Sequence, residues 1–598
     1  MERQMKLVRL LPVVLLCASG VVAAQSTDPT NPADPDQRAA ATEARMTDAE
    51  RIHLLHSHLP ITIEAGKPSQ LIPGAPIVPG YVSAIDRLGI PTIAESDASL
   101  GVVNPFELRE GDVATALPAG LALAATFDPA LAYRSGAMIG AEARAKGFNV
   151  LLAPGVNLTR DPRNGRNFEY LGEDPLLAGT LGGEASRGIQ SAGVVSTIKH
   201  FALNDQETQR RTVDARMDEA GLRESDLLAF ELGIERGQPG AVMCAYNQVN
   251  GAYACDNDFL LNQVLKRDWG YKGWVMSDWA AVHDVSYFNA GLDQQSGAEL
   301  DKKVWMDEPL KADYAAGKVS KERLSDAVRR ILRSLYATGA DQPSPKTVID
   351  YDAHAKVAQA AADDGIVLLR NEGALPLAAS SQSILVIGGY AIAGVMSGGG
   401  SSQVTPVGGA AAIIPTDVHR LVKRPVGQLL VPSSPVKALK DALPSASIAW
   451  DTGYDADVAA ARAARADVAI VFATKWQTEG MDSGDLSLPG GQDELIRAVA
   501  KANHNTIVVL ETGNPVLMPW LTDVKAVLEA WYPGQKGGEA IAAVLTGAVN
   551  PSGRLPLTFP AREDQNPRGP LPGLGEEDGS RLKNVPGTAD YPEGSDAG

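Results

Sequence analysis

Short apolar runs alternate with amphipathic stretches across the first half of the chain, from about residue 85 to about residue 340. The apolar runs read GIPTIAES, FNVLLAPG, GVVSTIKHF, GAVMCAYN and GWVMSDW. Stretches between them, such as ALAYRSGAMIGAEARAKG and ESDLLAFELGIERG, have the polar and apolar period of helices. Strands that alternate with helices predict a parallel α/β layout.

A second α/β pattern follows a break in the hydrophobic period. The helix SKERLSDAVRRILRSLYATG stops at Gly339, and the proline-containing segment after it predicts a linker over 341–360. Short apolar strands then recur as SILVIGG, VAIVFAT, NTIVVLETG and AVLEAWYPG. We therefore predict one α/β domain over 46–340, a smaller one over 361–560, and a Pro/Gly-rich irregular tail over 561–598.

The N-terminus has the pattern of an export signal. Lys6 and Arg9 precede the apolar run LLPVVLLCASGVV, and small residues follow it before Gln25. The run is too short to span a membrane, so a cleaved signal over 1–24 is favoured over an uncleaved anchor. Residues 25–45 are rich in Pro, Asp and Thr and predict a flexible leader. We expect an exported protein, periplasmic or secreted, with no membrane attachment after cleavage.

The charge of the chain narrows the classes of partner, and its cysteines suggest a disulfide. The 598-residue chain carries 72 acidic and 54 basic residues, a formal net charge of −18, which argues against nucleic acid and anionic membrane partners. Signal cleavage would remove Cys17 and leave Cys244 and Cys255. Two nearby cysteines in an exported chain suggest a disulfide, with two buried thiols as the alternative.

Several strands of the first block end on a polar group. These strand-end residues are Asp97, Lys199, His200, Tyr246 and Asp278. In a parallel barrel the carboxyl ends of the strands share one face, and that face holds the active site. A single strand-end carboxylate is usually solvated surface, and a Lys–His pair beside one can be a structural ion network. The repetition over several strands instead predicts a pocket.

No metal or cofactor is expected. The sequence HSH at 56–58 falls in a helical context, where alternating histidines do not face one site. The Gly-rich stretch VIGGYAIAGVMSGGGSS lacks both the G-x-G-x-x-G spacing and the lysine of a phosphate loop.

A series of ordered motifs between about 47 and 560 resembles glycoside hydrolase family 3, the β-glucosidase type. The motifs are LTRDPRNGRNFEYLGEDPLLAG (158–179), KHFALNDQETQR (199–210), GWVMSDW, DGIVLLRNEGALPL (364–377), TEGMDSGDLSLPGGQ (478–492) and NPSGRLPLTFP. The resemblance implies a TIM-like (β/α)8 barrel followed by an α/β sandwich with a mostly parallel sheet, and an active site between them.

The resemblance also implies residue roles. Asp278 matches the nucleophile and Glu479 the general acid/base, with Asp482 as the rival acid in the same loop. Trp279 would wall the leaving-group side. The positions that match sugar contacts are Asp97, Arg166, Lys199, His200, Arg210 and Tyr246.

The chemistry of a retaining glycosidase fits these residue types. One carboxylate attacks the anomeric carbon and must be ionised, and we expect Lys199, Arg166 and Arg210 to supply the positive field that keeps Asp278 charged. The other carboxyl must hold a proton, and we expect burial in an interdomain cleft to raise the pKa of Glu479.

Three departures from the family pattern bear on specificity. Ala98 and Ser99 follow Asp97, AGLDQQSG replaces an Asp-x-Glu-Met-Pro pattern, and Ser483 stands where an Arg is common. The family's fibronectin-like domain is not expected within this chain.

The expected activity is hydrolysis of small β-glucosides or oligosaccharides from their non-reducing ends. β-Xylosidase and exo-β-1,3/1,4-glucanase are the alternatives, and the Asp97 loop favours a hexose. An inactive sugar-binding protein is the alternative from another class. The presence of both Asp278 and Glu479 argues against it. The sequence does not indicate an oligomeric state.

Overall fold

The computed structural model describes residues 34–63, 69–378, 383–416, 427–566, 568, 569, 571, 573, 574 and 588–590. The predicted signal over 1–24 lies outside this range. No helix within these residues combines the length and apolar character needed to cross a bilayer.

The first half of the described chain is an α/β domain. Its strands are β1 (Tyr81–Val82), β2 (Ile93–Asp97), β3 (Val150–Leu152), β4 (Val195–Phe201), β5 (Asp214–Arg216), β6 (Ala241–Cys244), β7 (Gln248–Val249), β8 (Ala252–Tyr253) and β9 (Trp274–Ser277). Its α-helices are α1 (Pro35–Glu43), α2 (Asp48–His53), α3 (Gly120–Ala125), α4 (Pro129–Ala145), α5 (Pro175–Ser191), α6 (Glu219–Glu224), α7 (Asp226–Gly237), α8 (Glu308–Ala315) and α9 (Lys321–Thr338). A π-helix spans Phe259–Asp268.

The second half is also α/β. Its strands are β10 (Val367–Asn371), β11 (Ser383–Gly388), β12 (Val395–Met396), β13 (Ala412–Pro415), β14 (Gly427–Val431), β15 (Ser447–Asp451), β16 (Val468–Lys475), β17 (Thr506–Thr512), β18 (Ala526–Glu529) and β19 (Thr588–Asp590). Its α-helices are α10 (Tyr351–Gly365), α11 (Pro435–Ala442), α12 (Ala456–Ala463), α13 (Gln492–Ala502) and α14 (Gly537–Thr546). Short 3₁₀ helices in the two halves span Asp86–Leu88, Pro105–Glu107, Asn167–Glu169, Ala254–Asp256, Val285–Phe288, Ala298–Leu300, Leu521–Asp523, Gly534–Lys536 and Glu563–Gln565.

The first domain contains a six-stranded half-barrel sheet in the order β1-β2-β3-β4-β6-β9. Neighbouring strands run parallel from β2 to β9, while β1 pairs antiparallel with β2. Isolated bridges continue beyond the edge strands, from Met276 to Gln294, from Gln295 to His56 and from His58 to Tyr81. The parallel direction brings the carboxyl ends of these strands to one side.

The second domain is built on a six-stranded sheet in the order β10-β18-β17-β16-β11-β15, which is parallel except for β10. Adjacent residues of β16 enter opposite cores, because side chains alternate along a strand. Ile470 packs with residues of α11 and α14, whereas Val471 packs with residues of α12 and α13. Helices therefore cover both faces, which is why these strands read as continuous apolar runs.

The two domains share a hydrophobic core. Leu100 and Phe168 of the first domain are buried in one cluster with Met396, Val404 and Tyr532 of the second. Helix α10 contacts α3 and α4 of the first domain and α14 of the second. The loops of the second domain are thereby held over the first.

Three segments form regular structure where the sequence analysis predicted a leader, a linker and an irregular tail. Helix α1 lies within the predicted flexible leader 25–45, where Asp34 caps it and Arg38 pairs with Asp341 at 2.6 Å. Helix α10 begins within the predicted linker 341–360, and its buried face consists largely of alanines and lacks large apolar side chains. Strand β19 lies in the predicted irregular tail and pairs parallel with β5.

His56 and His58 were expected on a helix, but α2 ends at His53 and both histidines form β-bridges. Alternation in an extended chain puts them on one side, with ring centroids 4.9 Å apart. His58 pairs with Glu299 at 2.6 Å. Across the described residues no group of three or more His, Cys, Asp or Glu side chains is arranged to hold a metal ion.

A disulfide joins Cys244, the last residue of β6, to Cys255. Both residues are fully buried, and the bridge encloses the β7–β8 hairpin. Because Tyr246 lies inside this loop, the bridge restrains the backbone directly beneath one of the predicted site residues.

Cys255→Ser should lower the free energy of unfolding by about 2–3 kcal/mol, since the bridge closes a short loop. Chemical denaturation measures the loss. The intact protein should show no free thiol from these residues under denaturing, non-reducing conditions. Cys244→Ser serves as the matched variant, and the double variant should lose little more than either single one. Two reactive thiols in the unmodified protein would show that the bridge does not form.

Candidate active site

The strand-end residues predicted from the sequence lie together at the carboxyl side of the half-barrel sheet. Asp97 ends β2, Lys199 and His200 belong to β4, and Asp278 follows β9 directly. Lys199 Nζ lies 3.9 Å from Asp97 Oδ1, and His200 Nε2 lies 3.7 Å from Asp278 Oδ2. The sheet order explains the grouping, because β2, β4, β6 and β9 lie within five consecutive strand positions.

Asp278 is almost completely buried, and its Oδ1 accepts a hydrogen bond of 2.7 Å from the backbone N–H of Trp279. Burial raises the pKa of Asp278, while Arg166, the Tyr246 hydroxyl and Arg210 act to lower it. The two arginines thus act in the expected direction, and burial outweighs their effect on the pKa. That Lys199, Arg166 and Arg210 keep Asp278 charged stays a prediction.

Glu479 enters the site from the second domain, on the loop after β16. Its Oε1 lies 2.9 Å from Arg210 Nη1 and 3.7 Å from Arg166 Nη1. Its Oε2 accepts a 2.8 Å hydrogen bond from the backbone N–H of Ser401.

The electrostatic surroundings of Glu479 reverse one sequence-based expectation. Burial acts to raise the pKa of Glu479, but Arg166, Arg210 and Ser401 outweigh it and hold the pKa well below its usual range. A raised pKa was expected and is wrong for the free protein. The expectation considered the dryness of an interdomain cleft and omitted two guanidinium groups that contact the carboxylate.

The two arginines connect the carboxyl groups of the site. Arg166 is fully buried and forms an ion pair through Nε with Glu169. Arg210 donates from Nη1 to Glu207 Oε2 at 2.8 Å as well as to Glu479. Burial raises the pKa of Glu207 to about 7, although Arg210 and Arg166 act to lower it.

Tyr246 lies beneath Arg210. Its ring centroid is 4.6 Å from the Arg210 guanidinium carbon, a cation–π distance. The ring therefore supports the same guanidinium that contacts Glu479.

Asp97 and Lys199 form a polar pair at the edge of the site. Burial raises the pKa of Asp97 to about 7, Lys199 acts to lower it, and Glu479 and Asp278 act to raise it further. Asp97 is thus more easily protonated than Glu479, whose pKa lies well below its usual range.

His200 is held in place by polar contacts on both sides. Asn157 accepts from the His200 backbone N–H at 2.7 Å and donates to its carbonyl at 3.0 Å. The hydroxyl of Tyr170 lies 3.2 Å from Nδ1. Burial, followed by Arg166 and Lys199, lowers the pKa of His200 well below its usual value, so the ring is neutral.

Trp279 forms the half-buried wall beside Asp278. Its Nε1 donates to the carbonyl of Pro79 at 3.0 Å. A Cβ on Gly297 would lie 2.2 Å from the indole ring, so the glycine makes room for it. Gly297 belongs to the departing segment AGLDQQSG, whose Gln294 accepts from buried Trp274 at 3.1 Å and plays a packing role.

Sequence analysis missed Glu207 and Tyr170 as site residues, although both fall inside motifs that it singled out. It named Asp482 only as a rival proton donor. Asp482 is buried, and backbone N–H groups of the first domain donate to both of its oxygens. These side chains become recognisable only when the two domains are placed together.

Comparisons with known proteins agree with this geometry. The family model of the glycosyl hydrolase family 3 N terminal domain matches residues 80–334, and that of the family 3 C-terminal domain matches residues 366–598.

Two relatives and one solved structure illustrate the likeness. The chain is 39% identical to thermostable beta-glucosidase B of Acetivibrio thermocellus, over 81% of this chain and 64% of that protein. It is 33% identical to a beta-glucosidase of Rhizobium radiobacter, over 80% of this chain and 75% of that one. The crystal structure of DesR, a beta-glucosidase from Streptomyces venezuelae in complex with D-glucose, superposes with a TM-score of 0.77. It is 33% identical and covers 88% of this chain and 78% of that one.

The chain thus spans slightly less than two thirds of the first relative and about three quarters of the other two proteins. Both halves match their family models in order along the sequence, and the matches include the loops that carry Asp278 and Glu479. The chain belongs to glycosyl hydrolase family 3.

Proposed function

We propose that this chain is a retaining, exo-acting β-glucosidase that releases terminal non-reducing β-D-glucosyl residues through a covalent glycosyl-enzyme. The observation that carries the proposal is that Asp278 of the first domain and Glu479 of the second domain enter one cleft, where Arg166 and Arg210 act on both carboxyl groups. The beta-glucosidase relatives and the glucose-bound neighbour support the choice of sugar.

In the first step, an oxygen of Asp278 bonds to the anomeric carbon while the bond to the leaving-group oxygen breaks, and Glu479 gives that oxygen its proton. In the second step, Glu479 takes a proton from water, and the water oxygen replaces Asp278 at the anomeric carbon. The ring of His200 lies 3.7 Å from Asp278 and is neutral. It therefore does not form a full ion pair that would weaken the carboxylate as a nucleophile.

The proton cycle requires the pKa of Glu479 to rise when substrate binds. Arg166 and Arg210 hold the pKa of this carboxyl well below its usual range, against the effect of burial. A sugar that fills the cleft excludes water and increases the burial that acts to raise the pKa. The low pKa of the free site suits the second step, in which Glu479 acts as a base.

The remaining polar groups suit the hydroxyls of one sugar. Asp97 and Lys199 offer an acceptor and a donor 3.9 Å apart, and Trp279 offers a flat wall beyond the scissile bond. β-Xylosidase and exo-β-1,3/1,4-glucanase activities use the same chemistry and remain alternatives within it. An inactive sugar-binding protein would not need a proton donor, so the pairing of Asp278 with Glu479 favours an enzyme.

The finer fold assignment and the location belong to this proposal. The isolated bridges beyond β9 and β1 support closure of the half-barrel sheet into a TIM-like barrel, with the second domain as an α/β sandwich. The signal-like N-terminus and the Cys244–Cys255 bridge support export to an oxidising compartment.

A panel of chromogenic glycosides tests the activity. The protein should hydrolyse an aryl β-glucoside with kcat/KM at least about tenfold above that for the aryl β-xyloside, since a missing hydroxymethyl group forfeits contacts of that order. Short β-1,3- and β-1,4-linked glucans distinguish a glucosidase from a glucanase by whether the disaccharides are preferred. No turnover of any β-glycoside, together with measurable glucose binding, would identify a sugar-binding protein instead.

Asp278→Ala should reduce kcat by several orders of magnitude, about 10⁴-fold or more, because no covalent intermediate can form. A 2-fluoro-glucoside with a good leaving group should label Asp278 in the unmodified protein, and peptide mass spectrometry locates the label. Asp284→Ala is the matched control, because this exposed acid caps a 3₁₀ helix in the same segment. Full activity of Asp278→Ala would contradict the assignment.

Glu479→Ala should retain glycosylation by an activated aryl glucoside but hydrolyse the intermediate slowly, because the base is missing. Azide should then restore turnover and give the β-glucosyl azide, since a small anion fills the vacated position without proton removal. Product analysis by NMR gives the stereochemistry. Azide rescue of Asp482→Ala, with wild-type behaviour of Glu479→Ala, would show that the roles are reversed.

A further inference from the structure

Two buried carboxyl groups, those of Asp482 and Glu207, accept hydrogen bonds from backbone N–H groups across the domain boundary. Asp482 of the second domain accepts from Gly165 N at 3.0 Å, from Glu207 N at 3.0 Å and from Thr208 N at 2.8 Å, all in the first domain. In the opposite direction, Glu207 Oε2 accepts from the backbone N–H of Gly480 at 2.6 Å. Each domain therefore supplies an acceptor to the other.

These contacts surround the residue proposed as proton donor. Gly480 follows Glu479 directly, and Asp482 is three residues further along the same loop. Glu207 also accepts from Arg210 Nη1, the same nitrogen that donates to Glu479 Oε1. One carboxyl thus holds both the backbone next to Glu479 and the cation that binds its side chain.

The loop that carries Glu479 packs closely against the first domain at Gly165. A Cβ on Gly165 would lie 2.0 Å from the carbonyl oxygen of Met481 and 2.4 Å from that of Thr478. The backbone N–H of Ser483 donates to the carbonyl of Arg163 at 2.8 Å. Contacts on both sides of Glu479 therefore fix the loop to the segment that carries Arg166.

We propose that Asp482 and Glu207 form a reciprocal clasp that positions Glu479 for proton donation. They are positioning residues that do not touch the sugar, and the inference rests on the proposed role of Glu479. Buried carboxylates that accept from backbone N–H groups form hydrogen bonds stronger than neutral ones, so the clasp fixes the backbone beside Glu479 independently of the contacts that the Glu479 side chain makes.

The clasp explains why Asp482 is not itself the proton donor. Backbone N–H groups of the first domain already donate to both of its oxygens. A proton on either oxygen would replace one of those contacts. The alternative is a purely structural interface, and it predicts a different dependence on the leaving group.

The measurement is kcat/KM for two glucosides that differ only in their need for a proton donor: 2,4-dinitrophenyl β-glucoside, which needs little help, and methyl β-glucoside, which needs full protonation. Asp482→Asn should lower the methyl-to-dinitrophenyl ratio about 10- to 100-fold, because displacement of a catalytic group by about 1 Å costs rate on that scale. The ratio comes from one sample, so the fraction of folded protein cancels. The matched control is Asp485→Asn, an exposed acid in the same loop whose side chain accepts from the backbone N–H of Ser487, and its ratio should stay unchanged.

A second pair of variants leaves both acids intact. Gly165→Ala forces the carbonyl groups of the Glu479 loop away and should lower the same ratio. Gly484→Ala should not, since a Cβ there meets nothing within 4 Å. If Asp482→Asn does not fold, this pair alone decides the question. A ratio that stays constant in Gly165→Ala, and in Asp482→Asn where it folds, would overturn the clasp.

Glu479→Ala separates this inference from the proposed function. If Glu479→Ala lowers the ratio and azide restores its turnover of the dinitrophenyl glucoside, while Asp482→Asn and Gly165→Ala keep the wild-type ratio, the clasp is wrong and the proton donor stands. If Glu479→Ala also keeps the ratio, the role of Glu479 is wrong and the clasp falls with it. Azide should not rescue Asp482→Asn, because Glu479 still occupies the site.

Discussion

A single guanidinium nitrogen, Nη1 of Arg210, links charged groups of the two domains. It donates to Glu207 of its own domain and to Glu479 of the other domain. Buried charges are costly unless they are paired. Arg210 contacts Glu479 only when the two domains are docked. The docked arrangement in turn sets the pKa of Glu479, the position of its loop and the field at Asp278.

Burial and charge pairing compete at every carboxyl of the site, and the balance differs from one to the next. Burial raises the pKa of Asp97 despite Lys199, and the pKa of Asp278 despite Arg166 and Arg210. Glu479 has two arginines and a backbone donor, and its pKa falls. Groups of the same chemical type are thus prepared for different tasks by their neighbours.

The sequence predicted much of this because the relevant signals are local. Apolar runs that end on Asp97 and Asp278 located strands and their carboxyl ends, and parallel direction brought those ends together. Helix α10 escaped detection because its buried face is made of alanines, which carry little of the hydrophobic period. The roles of Glu207 and the direction of the Glu479 pKa shift depend on distances between domains. Residue type and spacing carry no information on those distances.

Helix α10 ties the width of the cleft to the packing of both domains. Because α10 packs on α3, α4 and α14 at once, and because Phe168 and Tyr532 share one core, rotation of one domain against the other would expose apolar surface that is buried between them. Any change in the width of the cleft therefore costs free energy of hydrophobic burial. That cost favours a cleft whose two walls keep their distance when a sugar enters or leaves.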